Sequence, residues 1–345
     1  MFETSYAPVV KMGYRVLRRG NLVTLAHAKV RKGETHVHTV ADRWRPQLKA
    51  AFLKAVRRVQ DQVQLPELEA AVRAQDERRA LAAVVPALEI LAAMDLPLMD
   101  VLAASARRTP LPGIRVLGGP YVPGQPVLSR PPYTMTFNVT NPKAVAWVKA
   151  RATELIKELI DREAIKVVIE RSFVEGFAPR VAARLIRGAL GLTTPQVNAA
   201  SNLYKRLINA PGETVQAGSK TIRVPFDPSD EFLENVVERY EDRLLNSRAE
   251  TVAHTESMRA SNEGQSALWD QATEVGLLTG DEQKAWIATP DKHVCPICAD
   301  MEGVTVGLDE PFDFDGEEVD VPPGHPNCRC TIGLVGARAP VEEGS

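Results

Sequence analysis

The cysteines of this chain lie in two short groups near its C-terminal end, and the spacing of both groups suits a metal. Cys295 and Cys298 form the first group, and after 26 intervening residues His325, Cys328 and Cys330 form the second. A structural zinc site takes four sulfur or nitrogen ligands, usually from two short turns. In an extended segment Cys328 and Cys330 share one face, whereas a turn would place His325 beside Cys328. The pattern therefore predicts structural zinc held by four thiolates, or by three thiolates and one imidazole.

Other chemistries for the four thiols are weaker interpretations. Two disulfides would need an oxidising compartment, and the N-terminal residues lack the order of a secretory signal. A redox pair at Cys295 and Cys298 would need a surrounding βαβ pattern, and isolated thiols that pack as small apolar groups rarely come in two close pairs. A catalytic zinc site would keep one coordination position open for a water molecule. If His325 acted as the base for that water, the protein would be a zinc-dependent nuclease, and this is an alternative function.

A bound zinc ion would also explain how residues 277–335 fold. This segment has few apolar residues, and a core of its size is usually marginal without a metal. Its sequence predicts short strands at AWIAT, GVTVGL, EEVDV and CTIGLV, separated by turns. We expect a small α+β module that the metal holds together, followed by a disordered tail at 336–345.

The two ends of the chain carry opposite charge. Residues 1–60 contain thirteen Lys and Arg against three Asp and Glu, whereas residues 291–345 contain twelve acidic residues against three basic ones. A basic segment is typical of contact with a polyanion, and an acidic one of contact with a basic protein surface. The candidate DNA-binding residues are basic and lie near the N-terminus: Arg15, Arg18, Arg19, Lys29, Arg31 and Lys32.

Most of the chain has the apolar spacing of amphipathic helices, and no apolar run reaches the roughly 18 residues of a membrane span. Eight prolines between residues 109 and 142 exclude a regular helix there. We expect a mainly α-helical fold of long helical hairpins or a bundle. Its parts would be a basic N-terminal helical region at 1–108, a Pro/Gly-rich linker or arm at 109–142, a helical core at 143–276 and the Cys/His module at 277–335.

Three local patterns in the helical part make finer predictions. Residues 143–175 read as one long helix, and a capping box at residues 247–250 predicts that a helix restarts within 229–275. Residues 181–207 have the size of a helix-turn-helix, which makes a DNA-binding protein a second alternative function, although such hairpins are more often packing units. We expect His36 and His38 to lie on one face of a strand at the surface.

Four segments of the sequence resemble, in this order, the Mu-F-type phage head morphogenesis family, also called minor head or minor capsid proteins. They are NPKAVAWVKARATELIKELI, RLIRGALGLTTPQVNAASNLYKRL, RAETVAHTESMRASNEGQ, and KAWIATPDKHVCPICADMEG continued to PPGHPNCRC. The resemblance covers about residues 138–334, and its most specific parts are Trp286 with Asp291, the first cysteine pair and the closing motif at 322–330. His254 departs from the family pattern, in which an arginine more often precedes Thr-Glu.

The resemblance implies a structural, low-copy component of a tailed phage particle that acts near the portal during head assembly. The implied partners are the portal and other capsid proteins, and the implied location is the virion, after synthesis in the cytoplasm of the host bacterium. In some relatives the protein is packaged inside the head, binds DNA and leaves with it. The basic N-terminal residues lie outside the region of resemblance, so their contact with packaged phage DNA is an expectation from charge. No enzymatic step is expected in this role.

Overall fold

The computed structural model describes residues 14–19, 22–27, 36–91, 98–108, 138, 140–159, 161–276, 278–289 and 294–335. The helices in these residues are α1 (His36–Gln62), α2 (Leu65–Arg73), α3 (Glu77–Leu91), α4 (Leu98–Arg108), α5 (Pro142–Leu159), α6 (Arg162–Val174), α7 (Pro179–Ala189), α8 (Thr194–Ile208), α9 (Asp230–Glu274) and α10 (Pro296–Asp300). The strands are β1 (Tyr14–Arg19), β2 (Leu22–His27), β3 (Thr214–Ala217), β4 (Lys220–Arg223), β5 (Gln283–Ile287), β6 (Thr305–Gly307), β7 (Phe312–Phe314), β8 (Glu317–Val319) and β9 (Thr331–Val335).

The predicted fold class, mainly helical with a small C-terminal module of short strands, is confirmed. The predicted Pro/Gly-rich arm lies mostly outside the described residues, and the predicted tail lies wholly outside them.

The chain divides into two compact units, and each is assembled from separate stretches of sequence. The first unit contains Met1–Leu48, Pro97–Val148 and Val252–Ser345. The second unit contains Lys49–Leu96 and Lys149–Thr251. None of the helices among the described residues has the length and apolar content needed to span a bilayer.

An antiparallel five-stranded sheet organises the first unit, with its strands in the order β1-β2-β9-β5-β6. β9 pairs with β5 along its whole length, and on its other side Leu334 pairs with Leu25 of β2. Every residue of β9 is buried, as expected for a strand with a neighbour on each side. The N-terminal strands therefore belong to the same sheet as the Cys/His module, which sequence analysis did not predict.

The core of the first unit joins this sheet to the second half of α9. Trp269 of α9 and Trp286 of β5 are almost fully buried. Phe312 and Phe314 pack on the Trp286 ring, each with 5.3 Å between ring centroids. These aromatic contacts lie beside the cysteine groups and give the short strands of the module a rigid base.

Helices α2, α3, α6, α7 and α8 and the β3–β4 hairpin belong to the second unit. Thr193 is the N-cap of α8 and forms a capping box with Gln196. Gly188 of α7 leaves room for the carboxyl of Glu241, since a Cβ at position 188 would lie 2.1 Å from it. Burial raises the pKa of Glu241 well above its ordinary value.

Three local predictions are wrong. The predicted helix at 143–175 is two helices, because Asp161 caps a new helix by accepting a hydrogen bond from the Ala164 amide. The predicted restart within α9 does not occur, and Glu250 forms an ion pair with Lys49 at 3.0 Å instead of capping a helix. His38 lies in the first turn of α1 rather than on a surface strand, and it is only 4% exposed.

Candidate metal centre

The first cysteine pair is positioned by the short helix α10. Cys295 is the N-cap of this helix, and its Sγ accepts a hydrogen bond from the Cys298 amide at 3.3 Å. Because the N-cap side chain folds back over the first turn, the sulfur of Cys298 lies on the same side. Cys298 is buried, whereas Cys295 is partly exposed. Two sulfur atoms therefore converge from one turn, as the spacing predicts.

The second group lies on a turn that brings His325 to the first pair. The amide of Cys328 donates to the carbonyl oxygen of His325 at 3.1 Å, and Asn327 has a positive φ of 61°. The imidazole Nδ1 lies 2.8 Å from the carbonyl oxygen of Pro326. A carbonyl only accepts hydrogen bonds, so Nδ1 carries the proton and the lone pair of Nε2 is available. A histidine that binds a metal usually has its second ring nitrogen fixed in this way.

Distances among the donor atoms fit a tetrahedral metal. The Nε2 atom of His325 lies 3.2 Å from the Sγ of Cys295 and 3.1 Å from that of Cys298. The sulfur atoms of Cys298 and Cys328 are 3.7 Å apart. Zinc–sulfur bonds of about 2.3 Å in a tetrahedron place two sulfur atoms about 3.8 Å apart. The side chains thus form the edges of a site that is already close to the size of a zinc site.

Five donors surround this position, one more than a tetrahedron takes. Cys295, Cys298 and His325 form one close group, and Cys298, Cys328 and Cys330 form the other. Cys298 is the only residue common to both groups. The structure therefore brings together every metal ligand that the sequence suggests, and a metal could be held by either combination.

The protonation of the thiols follows their contacts. A hydrogen bond from Cys330 lowers the pKa of Cys328 to about 5. The same contact and burial raise the pKa of Cys330, and burial raises that of Cys298 to about 12. Burial also acts to raise the pKa of Cys295, but its contacts with Cys298 and with the His325 ring lower it overall. The thiols with a lowered pKa thus sit beside thiols with a raised pKa and accept hydrogen bonds from them. A metal cation bound to these sulfur atoms would displace the remaining thiol protons.

A buried indole N–H supports negative charge on the cluster. The Nε1 atom of Trp286 is buried and has no hydrogen-bond partner among the described residues. Its nearness to Cys330 acts to lower the pKa of that thiol, although Cys328 and burial raise this pKa overall. A nearby N–H group favours the thiolate form of a sulfur atom over the thiol. The surroundings of the cluster therefore suit metal-bound thiolates.

A row of polar side chains on α9 also contacts the metal-binding segment, and sequence analysis missed it. Thr255 accepts a hydrogen bond from the Asn327 amide at 3.0 Å, and Gln265 donates to the carbonyl oxygen of Ile332 at 3.0 Å. Asn262 is fully buried between them on the same helix face. Polar residues at this spacing normally indicate a solvated face, so the sequence carries no signal for their burial.

Three of the six candidate DNA-binding residues lie within the described part of the chain. Arg15, Arg18 and Arg19 lie on strand β1, whereas Lys29, Arg31 and Lys32 lie outside the described residues.

The helix-turn-helix that the sequence suggests at 181–207 corresponds to the hairpin of α7 and α8. Its cations are engaged within the second unit, with Arg184 on Glu234 at 3.0 Å, Arg187 on Glu238 at 3.3 Å and Lys205 on Glu175 at 3.5 Å. These pairs favour a packing unit over a phosphate-binding surface.

Comparison with known proteins finds a similarity in the C-terminal part of the chain. Residues 229–333 match the family model described as Phage Mu protein F like protein. The match runs from the start of α9 to β9 and includes all five candidate ligands, so it confirms the family resemblance within these residues. Searches of the curated proteins and of the solved structures found no match.

Proposed function

We propose that this chain, whose residues 229–333 are similar to phage Mu protein F, is a structural minor capsid or head morphogenesis protein of a tailed phage. The observation that carries the proposal is that the family match covers a set of adjoining structural elements together with the candidate metal site. The matched residues contain the long helix α9, the central strands β5 and β9 and the whole Cys/His cluster. The similarity therefore covers a continuous scaffold and not an isolated motif.

The metal of this scaffold is zinc in our proposal, and its role is structural. Cys295, Cys298, His325 and Cys328 would hold it, with Cys330 as a neighbouring thiol. Bound zinc would cross-link α10 to the turn at 325–328, which are separated by 26 residues of chain. Three of the four cysteines are buried, and the donors are sulfur and imidazole. A closed set of such donors is typical of structural zinc and supports a protein without enzymatic activity.

The proposed partners are the portal, other capsid proteins and packaged DNA, which places the protein in the virion near the portal. Support for DNA contact comes from charge, because the first 60 residues carry thirteen basic and three acidic side chains. Phosphate contacts release counterions, so this binding should weaken steeply between low and high salt. Equal affinity of the full chain for duplex DNA at both salt concentrations would remove DNA from the list of partners.

The experiment that tests the proposed function uses a phage that carries this gene. Deletion of the gene should reduce infectious particles, and the purified wild-type heads should contain the protein at low copy by mass spectrometry. Complementation with His325→Asn should fail, whereas Glu317→Gln, a change at an exposed position, should restore particles. Heads that assemble normally without the protein would contradict the proposal. DNA cleavage by the purified protein, lost in His325→Asn with the fold intact, would favour the nuclease instead.

A further inference from the structure

A backbone carbonyl between two candidate ligands is held by two side chains from elsewhere in the first unit. The carbonyl oxygen of Arg329 accepts a hydrogen bond from Thr289 Oγ1 at 2.6 Å. It also lies 2.8 Å from His38 Nε2. The two side chains contact each other at 3.2 Å, so all three groups form one cluster.

The chemistry of this cluster fixes the direction of its hydrogen bonds. The carbonyl can only accept, so both His38 Nε2 and Thr289 Oγ1 must donate to it. His38 is 4% exposed and Thr289 is 5% exposed, so water cannot easily replace either donor. Loss of one donor would leave the carbonyl of Arg329 partly unsatisfied beside buried side chains and free to rotate.

Rotation of this peptide group would move the neighbouring cysteines. Arg329 is the single residue between Cys328 and Cys330, and the amide of Cys330 donates to the sulfur of Cys328 at 3.5 Å. The peptide plane at Arg329 therefore sets where both sulfur atoms point. A donor that holds this plane acts on the metal site without touching the metal.

His38 comes from α1, 291 residues before Arg329 and outside the matched residues 229–333. A second connection lies close by, because β9 follows Cys330 directly and pairs with β2 at Leu25 and Thr24. The start of α1 and strand β2 thus both contact the chain within a few residues of the last cysteine. The N-terminal part of the first unit is built into the support of the metal-binding segment.

We propose that His38 is a positioning residue of the metal centre and that it couples the first helix to metal binding. The inference rests on the proposed metal site and deepens it, because it assigns part of the support to residues outside the family match. Removal of a group that hydrogen-bonds a metal ligand lowers metal affinity by about 10- to 100-fold. His38 bonds the residue between two candidate ligands, so we expect a loss at the lower end of this range. Bound metal should, in return, slow the opening of the first turns of α1.

The test compares zinc affinity in full-length variants. His38→Ala should bind zinc about tenfold more weakly in competition with a chromophoric chelator, and His38→Gln, which keeps a donor at a similar reach, should recover much of that loss. The matched control is Val37→Ala. Val37 is also buried on α1 and packs with Ala41 and Met258, so its loss should lower stability without changing zinc affinity. Hydrogen exchange of residues 36–48 should become faster when zinc is removed from the wild type.

Each outcome of this test supports or overturns a definite statement. Unchanged zinc affinity in His38→Ala, with the wild type binding zinc, would overturn the role of His38 and leave the metal centre intact. An equal loss of affinity in Val37→Ala would show a general packing effect and would also overturn it. A wild-type chain that binds no zinc would overturn the metal centre and the inference together.

Discussion

Asn262 of α9 donates hydrogen bonds from its side-chain amide to two carbonyl oxygens of the metal-binding segment. The distances are 3.1 Å to Cys330 and 2.9 Å to Pro322. One buried side chain therefore joins the two ends of the loop that contains His325 and Cys328. The loop is held to the long helix by polar contacts to its backbone, so its own side chains remain available for the metal.

Removal of this amide should destabilise the protein. Asn262→Ala leaves two buried carbonyl oxygens without their donor, which we expect to lower the free energy of unfolding by about 2 kcal/mol or more. Asn246→Ala is the matched control, because the Asn246 amide bonds within the same helix to the Asp242 carbonyl at an exposed site. Urea denaturation of both variants measures the difference. Equal stabilities would contradict a special role for Asn262.

Three substitutions identify the ligands, and two of them, His325→Asn and Cys330→Ser, distinguish the fourth. Cys298→Ser should abolish metal binding, because Cys298 belongs to both donor groups. His325→Asn should also lose the metal, whereas Cys330→Ser should retain about one equivalent. Metal content after gel filtration measures all three. Retention in His325→Asn together with loss in Cys330→Ser would show a site of four thiolates.

Glu263 should make the protein less stable as pH rises from about 4.5 to about 7. Burial raises the pKa of Glu263 to about 7, with further increases from Asp320 and Asp270 and an opposing effect of Lys284. The folded state therefore binds more protons than the unfolded state in this window, and stability falls as pH increases through it. Glu263→Gln should remove about 1 to 3 kcal/mol of this pH dependence in denaturation curves. Glu317→Gln, a change at an exposed position, should leave the dependence of the unfolding free energy on pH unchanged. If the same pH dependence persists in Glu263→Gln, it arises from other groups and the prediction is wrong.

Gly264 should not tolerate alanine, although alanine usually favours a helix by about 1 kcal/mol. A Cβ at this position of α9 would lie 2.2 Å from the carbonyl oxygen of Leu102, and backbone cannot move away cheaply. Gly188→Ala is a useful comparison, because there the Cβ meets the end of the Glu241 side chain, which can rotate. Thermal unfolding should show the larger loss for Gly264→Ala. A neutral or stabilising Gly264→Ala would mean that the two backbones are not in close contact.

The sequence predicted those features that depend on local spacing. The two cysteine groups and the four β-like segments both follow from residues a few positions apart. Few side chains other than cysteine and histidine bind zinc as sulfur or nitrogen ligands. The sequence alone therefore indicates the candidate ligands.

The features that the sequence did not predict depend on contacts between distant residues. Strand β2 gains a second neighbour when β9 lies beside it, and His38 is buried where it contacts Thr289 and Arg329. The row of Thr255, Asn262 and Gln265 has the spacing of an exposed helix face, and its hydrogen-bond partners come from the strand and turns that cover it. The continuity of α9 was likewise hidden by a capping-box pattern whose acidic residue is paired elsewhere.

The most direct measurement is the zinc content of the full-length protein, purified without added metal, together with its thermal unfolding before and after prolonged chelation. We predict about one zinc per chain, released only by strong chelation, and a large loss of structure in the C-terminal module when the metal leaves. A chain that contains no metal, or that unfolds identically with and without it, would contradict the metal-stabilised scaffold.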